Sequence, residues 1–338
     1  MDVATARIYE IVEKGLEGKG LPDADVRVLY AVDPASKEAY YINWAGNQLS
    51  KQSSNGKAEI HAQIGLNGTP CPKNCQFCSF AVSNGVRKGK LEMPKDYVVE
   101  FAKIYEDQGA NAILMLATAS YRFELFLEMA EAVRAVISKD MPLLANIEDQ
   151  SPEMARQLKA AGVDGCYHAV RMGEGSVTTI PVVERLATFE HIRAAGLSLS
   201  TCVEPIGPEH TAEELTEKTR ICIDSGALSA GAGRRIGVPG TALFDLGMIS
   251  AVRSALYVAV YRLATGLFPR LNCAAGTDLV ANAGANLAWA ESGVNPRDLL
   301  QRTEDGGKGK DIAFYRELYQ NADWEVLEGP SPGWQIAS

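Results

Sequence analysis

Short apolar runs alternate with amphipathic segments along most of this chain. From about residue 60 the runs have the length of buried strands, and the segments between them repeat apolar residues at helical spacing. Strands that alternate with helices pair in parallel through crossover connections. Eight such units predict an α/β fold, a (β/α)8 TIM-type barrel, in preference to an open doubly wound sheet. The predicted strands are 60–66, 112–117, 142–147, 165–170, 197–203, 229–236, 267–273 and 286–290.

The residues before the first predicted strand lack strand-like runs. Ile8, Ile11 and Leu16 recur at helical spacing, which indicates an amphipathic helix. The barrel is therefore expected to carry an N-terminal helical extension. The predicted parts of the chain are the extension at 1–58, the barrel at 59–325 and a C-terminal tail at 326–338.

Three cysteines lie in one loop directly after the first predicted strand. Cys71, Cys75 and Cys78 have C-x3-C-x2-C spacing, and Phe77 precedes the last of them. Three thiolates bind three irons of a [4Fe–4S] cluster, which leaves the fourth iron open to a chelating ligand such as S-adenosylmethionine (SAM). A structural zinc site needs a fourth ligand that this loop lacks, and an odd cluster of cysteines argues against a disulfide. The aromatic ring of Phe77 suits stacking on adenine.

Polar residues follow several of the predicted strands. The carboxyl ends of barrel strands meet at one face, and barrel active sites lie there. Polar residues also form ordinary turns, and that interpretation stays open for each of them. The candidates at this face are Asn146, Arg171, Glu174, Arg234, Arg235 and Arg270.

The cysteine loop resembles the defining motif of the radical SAM superfamily. A second stretch, with Thr178-Thr179, Glu184-Arg185-Leu186 and Ala195-Gly196, resembles biotin synthases and their relatives. Those relatives include hydrogenase maturases, methylornithine synthases and two-subunit lipoyl synthases. The resemblance implies a [4Fe–4S] cluster, SAM, a 5′-deoxyadenosyl radical, and ferredoxin or flavodoxin as electron donor.

The resemblance also implies roles for individual residues. Arg185 is expected to bind the SAM carboxylate, which a planar guanidinium matches, and the backbone of Ile206 and Gly207 to line the adenine. Asn146 is placed among the cofactor-binding residues, and Glu174 is expected near the ribose or methionyl groups. A surface arginine on a helix is the alternative for Arg185.

One departure from the biotin synthases affects the substrate. They carry Asn and Asp where this chain has Ala169 and Arg171, so their substrate contacts do not transfer. The side chains expected to bind the substrate are Arg171, Arg234, Arg235 and Arg270.

Four cysteines lie outside the loop. Cys222 falls inside a predicted helix and suits a buried apolar position. Cys166, Cys202 and Cys273 fall near the ends of predicted strands, and biotin synthases hold an auxiliary iron–sulfur cluster inside the barrel. These three thiols are expected to converge on a rearranged auxiliary cluster, with plain buried thiols as the alternative. Of the three, only Cys202 matches a cysteine position of the family.

The resemblance therefore predicts a sulfur-inserting enzyme of the biotin synthase type. It would convert dethiobiotin to biotin, with the auxiliary cluster as sulfur donor. The alternatives within the group are a lipoyl synthase component, a hydrogenase-cofactor maturase and a methylornithine-type mutase. A non-catalytic iron–sulfur electron carrier or scaffold is the alternative of another class.

Composition restricts the partners and the compartment. Lys and Arg number 33 against 42 Asp and Glu, so the net charge of −9 disfavours nucleic acid or an anionic membrane as partner. No apolar run reaches the roughly 20 residues of a membrane span, and the first residues show no signal-peptide core. Seven cysteines without a disulfide pattern predict a cytoplasmic protein that works at low oxygen. A homodimer is expected from the relatives, with a small molecule as substrate.

Overall fold

Parallel strands form a closed barrel in a computed structural model that describes residues 3–274 and 276–334. The strands are β1 (Lys57–Gly65), β2 (Ile113–Leu116), β3 (Leu143–Asn146), β4 (Gly165–Tyr167), β5 (Ser198–Ser200), β6 (Val203–Ile206), β7 (Ser229–Arg234), β8 (Leu271–Cys273), β9 (Leu287–Gly293) and β10 (Glu325–Val326). The strand order is β1-β2-β3-β4-β5-β7-β8-β9, and β9 pairs with β1 to close the barrel. The predicted (β/α)8 architecture is therefore confirmed.

Two strands differ from their predicted bounds. The fifth strand of the barrel is interrupted at Thr201 and Cys202. β5 pairs with β7 before this break and β6 pairs with β7 after it, with a shift in register. The seventh position begins only at Leu271, because Pro269 before it has no backbone N–H for a strand ladder. β10 pairs with the start of β1 and brings the chain back to the barrel after its eighth strand.

Helices with one apolar face surround the barrel. Several begin at a side chain that accepts a backbone N–H, such as Ser151, and Thr211 forms a capping box with Glu214. The helices are α1 (Val3–Leu16), α2 (Asp23–Tyr30), α3 (Lys37–Ser54), α4 (Lys95–Asp107), α5 (Phe123–Arg134), α6 (Pro152–Ala160), α7 (Val182–Ala194), α8 (Ala212–Asp224), α9 (Ala251–Thr265), α10 (Asp278–Asn282) and α11 (Ile312–Asn321). No helix among the described residues is long and apolar enough to cross a lipid bilayer.

The three helices before β1 pack against one side of the barrel. α3 lies along α9, and α2 contacts α8 and α9. Gly46 permits the close approach of α3, because a Cβ there would lie 2.7 Å from the Cα of Ala259. These helices share one buried apolar cluster with α9. Of the predicted outer parts, residues 1–2 and 335–338 lie outside the described residues.

Alternation along the strands divides the side chains between two environments. Ala145 and Cys166 point outward into the apolar layer beneath the helices, together with Leu199. Asn146 and Tyr167, next to them in sequence, point into the barrel interior, called the lumen below. This division follows from the two-residue period of a strand and decides which residues can meet a ligand.

The C-terminal segment closes the lumen at the amino ends of the strands. Trp334 is 3% exposed and packs against Leu114 and Leu144 inside the barrel. The buried amide of Asn111 donates to the carbonyls of Leu327 and Gly329 at 3.0 and 2.7 Å and so holds the segment in place. The lumen therefore opens at the carboxyl ends of the strands, where the cysteine loop lies.

Candidate active site

A cavity of about 280 Å³ occupies the carboxyl-terminal half of the barrel. Cys75, Phe77 and Cys78 form part of its upper wall, and Trp289 lies at its inner end. Side chains and backbone at the ends of several strands complete the wall, as expected for a barrel active site.

Hydrogen bonds fix the cysteine loop over the cavity. The Cys71 N–H donates to the carbonyl of Phe80 at 2.7 Å, and the amide of Asn84 donates to the carbonyl of Cys78 at 2.9 Å. The Gln76 N–H donates to the carbonyl of Val177 at 2.9 Å, which ties the loop to the segment between β4 and α7. Because the loop folds back on itself in this way, its thiols lie close together.

The three thiols suit a cluster with three protein ligands. Burial, together with a smaller effect of the Cys71 thiol, raises the pKa of Cys75 to about 11 and that of Cys78 to about 12. These thiols stay protonated at neutral pH until a metal replaces their protons. Within the described residues no three His, Cys, Asp or Glu side chains converge on a single metal ion. A cubane instead binds its thiolates through three separate irons.

Arg185 lies on the cavity wall between two carboxylates. Its Nε donates to Glu174 at 3.1 Å and its Nη1 donates to Asp149 at 3.2 Å, so the guanidinium is held from behind. The neighbouring His168 lies with Nε2 at 3.2 Å from Asp149, and burial lowers its pKa. A neutral His168 can therefore donate to Asp149. The pKa of Asp149 falls to about 2, because hydrogen bonding from His168 and the charge of Arg185 outweigh the effect of burial.

Glu174 does not line the cavity. Its carboxylate is fully buried and accepts from Arg185, from the backbone N–H of Arg171 and from the hydroxyl of Thr178. Three protein groups already donate to this carboxylate, so a direct contact with the ribose or methionyl groups stays a prediction that this geometry does not favour. The carboxylate orients Arg185 instead.

Two ion pairs occupy opposite parts of the cavity wall. Arg171 pairs with Glu204, which also accepts from the hydroxyl of Tyr167. Arg297 pairs with Glu291 on β9. Of these residues the sequence reasoning singled out only Arg171. Tyr167 and Glu291 could have been found from the two-residue period of their strands, because a residue two positions from an inward-facing one also faces inward.

The remaining predicted arginines lie in different parts of the barrel. Arg234 lines the cavity at the end of β7. Arg235 also reaches the wall, but its guanidinium is buried against Glu209 and the carbonyl of Gly247, so its hydrogen bonds serve the fold. Arg270 was placed wrongly: it precedes β8 at the amino end of the barrel and lies 3.6 Å from Glu59. The late start of β8 puts Arg270 at the opposite end from the cavity.

Two predicted cofactor residues, Ile206 and Gly207, directly follow the wall residues Glu204 and Pro205, and their backbone contacts with adenine stay a prediction. Ile206 is buried in the apolar cluster behind the sheet, and Gly207 donates to His210 at 2.9 Å. Neither lines the cavity, where Glu204 and Pro205 lie instead. The break between β5 and β6 changes which residues of this strand face inward. Phe77 and Asn146 do line the cavity.

The three strand cysteines do not converge. Cys202 and Cys273 line the cavity, whereas Cys166 points into the outer apolar layer and donates to Gln150. Its place in the predicted cluster is therefore wrong, because it lies on the outward face of β4. Cys222 is buried in the core, as its helical position predicts.

The two lumen thiols flank strand β7. Cys202 donates to the carbonyl of Gly231 at 3.1 Å, and Gly231 pairs with Cys273 across the sheet. Two strands that share one neighbour lie roughly 9–10 Å apart, which is too far for a disulfide without backbone movement. The indole N–H of Trp289 donates to the Cys273 sulfur at 3.2 Å.

Comparison with known proteins identifies similar chains by sequence and by fold. No protein-family profile matches the chain. It is 29% identical to a biotin synthase of Paracidovorax citrulli over 62% of its own length and 61% of that protein. It is also 29% identical to a biotin synthase of Gloeobacter violaceus, over 59% of this chain and 64% of that one. The alignments thus span about three fifths of these relatives.

Two solved structures share the barrel over almost the whole chain. Methylornithine synthase (PylB) superposes with a TM-score of 0.76 at 16% identity, covering 96% of this chain and 98% of that one. HydG, a maturase of the [FeFe]-hydrogenase, superposes with a TM-score of 0.75 at 14% identity, covering 94% and 75%. At these identities the likeness shows a common fold.

The fold and the site define a barrel protein with a three-cysteine cluster loop. By sequence the chain is similar to biotin synthases, and it shares its barrel fold with methylornithine synthase and HydG. The three loop thiols and the Arg185 guanidinium are the ligand types that a [4Fe–4S] cluster and a carboxylate-bearing cofactor such as SAM would require.

Proposed function

We propose that this protein cleaves SAM and abstracts a hydrogen atom from a small polar substrate in the lumen. The observation that carries the proposal is that Cys75, Cys78 and Arg185 line one cavity, whose wall also holds two ion pairs. When bound, a [4Fe–4S] cluster with SAM supplies a 5′-deoxyadenosyl radical after one-electron reduction. Ferredoxin or flavodoxin is the electron donor we expect.

The residues around the cofactor have separate tasks. Cys71, Cys75 and Cys78 bind the cluster, and Arg185 binds the SAM carboxylate. The guanidinium is held in place before SAM arrives, so little side-chain entropy is lost on binding. Phe77 offers an aromatic face beside the last cysteine.

The wall opposite the cysteine loop is suited to a substrate with polar ends. Arg171 with Glu204 and Arg297 with Glu291 present charge on two sides, while Leu114 and Leu116 form an apolar surface between the strands. Arg234 lines the same cavity, and a guanidinium at such a wall suits a substrate carboxylate. The packing of Trp334 beneath Trp289 closes this space at the amino ends of the strands.

Dethiobiotin is the first substrate to test, because the sequence relatives are named biotin synthases. Sulfur insertion also requires a sulfur source inside the barrel. The lumen offers Cys202 and Cys273, without the third thiol that the sequence predicted, so the predicted three-cysteine auxiliary cluster does not fit these residues.

A reaction without sulfur transfer is the second candidate. The outward orientation of Cys166 favours it, since only two thiols then face the substrate. A rearrangement or a maturation reaction of this kind needs the radical and the cavity but no auxiliary sulfur. A plain electron carrier has no use for a substrate cavity of this size.

Anaerobic incubation of the reconstituted protein with dithionite, SAM and dethiobiotin tests the proposal. We expect 5′-deoxyadenosine from the wild type and none from Cys75→Ala, with Cys222→Ala as a control that keeps activity. Biotin in the product mixture supports sulfur insertion, and deoxyadenosine without biotin supports the second candidate. Absence of deoxyadenosine with every substrate tried contradicts the proposed chemistry.

A further inference from the structure

Asp149 connects two parts of the site that the proposed function requires to act together. One of its oxygens, Oδ1, accepts from Arg185 and His168 at 3.2 Å each. The other, Oδ2, is buried, has no hydrogen-bond partner among the described residues and lies 3.7 Å from the Lys73 ammonium. The two oxygens of one carboxylate thus face two different elements.

Lys73 belongs to the cysteine loop, between Cys71 and Cys75. Its carbonyl accepts from the N–H and the hydroxyl of Thr179 at 3.2 and 2.9 Å, which fixes its backbone. Its side chain is 30% exposed and reaches across to Asp149 at the end of the third barrel strand. The ammonium is therefore the charged group through which the loop meets the carboxylate that holds Arg185.

The geometry of SAM explains why such a connection matters. SAM would bind the open iron of a cluster on the loop thiols, and Arg185 would bind the SAM carboxylate. The loop and Arg185 would therefore have to keep a fixed separation. An error of about 1 Å in positioning reacting groups can cost on the order of a hundredfold in rate. Glu174 holds Arg185 from the other side through its Nε.

We propose that Asp149 is a positioning residue that keeps the cysteine loop in register with Arg185 through Lys73. This inference rests on the proposed function, because the register is that of the cluster and SAM. If Asp149 only neutralised Arg185, its ion pair with Lys73 would have no effect on SAM binding, since many partly exposed ion pairs contribute no measurable free energy. The two possibilities differ in whether Lys73 and Asp149 act on SAM binding as one unit.

A double-mutant cycle on SAM affinity tests the inference. Calorimetric titration of SAM into the reconstituted, unreduced protein measures Kd without turnover, and iron content is measured on each variant. We expect Lys73→Met and Asp149→Asn each to weaken binding about fivefold or more, and the double variant to be no weaker than the weaker single variant. Lys73→Arg keeps the charge and should keep wild-type affinity even if Lys73→Met loads iron poorly.

Glu148→Gln is the matched control, since this neighbouring carboxyl also feels the charge of Lys73 but contacts neither Arg185 nor His168. Its Kd should stay within about twofold of the wild type. An unchanged Kd in Lys73→Met, or single effects that multiply in the double variant, overturns the inference while the proposed function stands. A wild type that loads iron but does not bind SAM overturns both.

Discussion

At the scale of single residues, burial sets the charge state of the site. The thiols of Cys75 and Cys78 are neutral without metal because desolvation raises their pKa values to about 11 and about 12. Asp149 shows the opposite outcome, since its hydrogen bonds and the neighbouring cation keep it ionised despite burial. The sequence pointed to the cysteines through their spacing and to Arg185 through its resemblance to biotin synthases, but the role of Asp149 emerged only once the fold placed it between two other groups.

Asp149 should make stability depend on pH in the acid range. Its folded pKa of about 2 lies below its ordinary value of 3.8, so the carboxylate stabilises the fold above about pH 4 and this contribution is lost as pH falls toward 2. A shift of this size corresponds to about 2 kcal/mol. In urea unfolding, the stability difference between wild type and Asp149→Asn should be largest above pH 5 and shrink steadily below pH 4.

Glu148→Gln provides the contrast for that measurement. Burial raises the pKa of Glu148, so ionisation of this carboxyl costs stability and its removal should leave the protein equally stable or more stable at pH 7. A stability difference for Asp149→Asn that is the same at pH 6 and pH 3 would contradict the assignment of a depressed pKa.

At the scale of elements, the sequence predicts which segments are strands and helices but not which way each strand side chain points. Alternating strands and helices predicted the barrel, because each crossover requires its own apolar face. The inward or outward direction of a given side chain depends on the strand register, which a break such as that at Thr201 and Cys202 resets. The misplacement of Cys166 and Arg270 comes from this uncertainty in strand register and strand bounds.

Cys166→Ala tests the outward assignment. We expect unchanged iron per chain after reconstitution, and a loss of about 1 kcal/mol in unfolding free energy from the small cavity left in the packed layer. Iron analysis and urea unfolding measure the two. Loss of iron in this variant alone would return Cys166 to a cluster and reject the orientation described above.

Gly46→Ala tests the contact between α3 and α9. Alanine favours a helix interior over glycine by up to about 1 kcal/mol, yet the new Cβ would lie 2.7 Å from the Ala259 Cα. Because backbone must move, we expect a net loss of about 1–3 kcal/mol in thermal or urea unfolding. Gly237→Ala, whose Cβ would have no atom nearer than 3.5 Å, should change stability by less than about 0.5 kcal/mol. A stabilised Gly46→Ala would mean that the helices lie farther apart.

At the scale of the whole molecule, the barrel is open at one end and closed at the other. The cysteine loop, Arg185 and the two ion pairs surround the open end, and Trp334 with Trp289 fills the opposite end. The predicted C-terminal tail gave no sign of this role, because a lone tryptophan near a terminus carries no periodic pattern. The C-terminal segment thus restricts access to the lumen to the carboxyl ends of the strands.

Removal of the Trp334 side chain, which closes the amino end of the barrel, should destabilise the whole barrel. Trp334→Ala is expected to cost about 3–5 kcal/mol of unfolding free energy, as for other buried large aromatic side chains. Trp44→Ala is the matched control, because Trp44 is 50% exposed and its loss should cost under about 1 kcal/mol. Equal effects of the two substitutions would show that Trp334 does not fill the lumen in solution.

The central claim is that the three-cysteine loop holds a cluster with one iron open to SAM. Electron paramagnetic resonance of the reduced, reconstituted protein, recorded with and without SAM, tests it most directly. We predict a [4Fe–4S]⁺ signal that changes on addition of SAM and is lost in Cys75→Ala. A signal that is the same with and without SAM, or that persists in Cys75→Ala, would contradict the account.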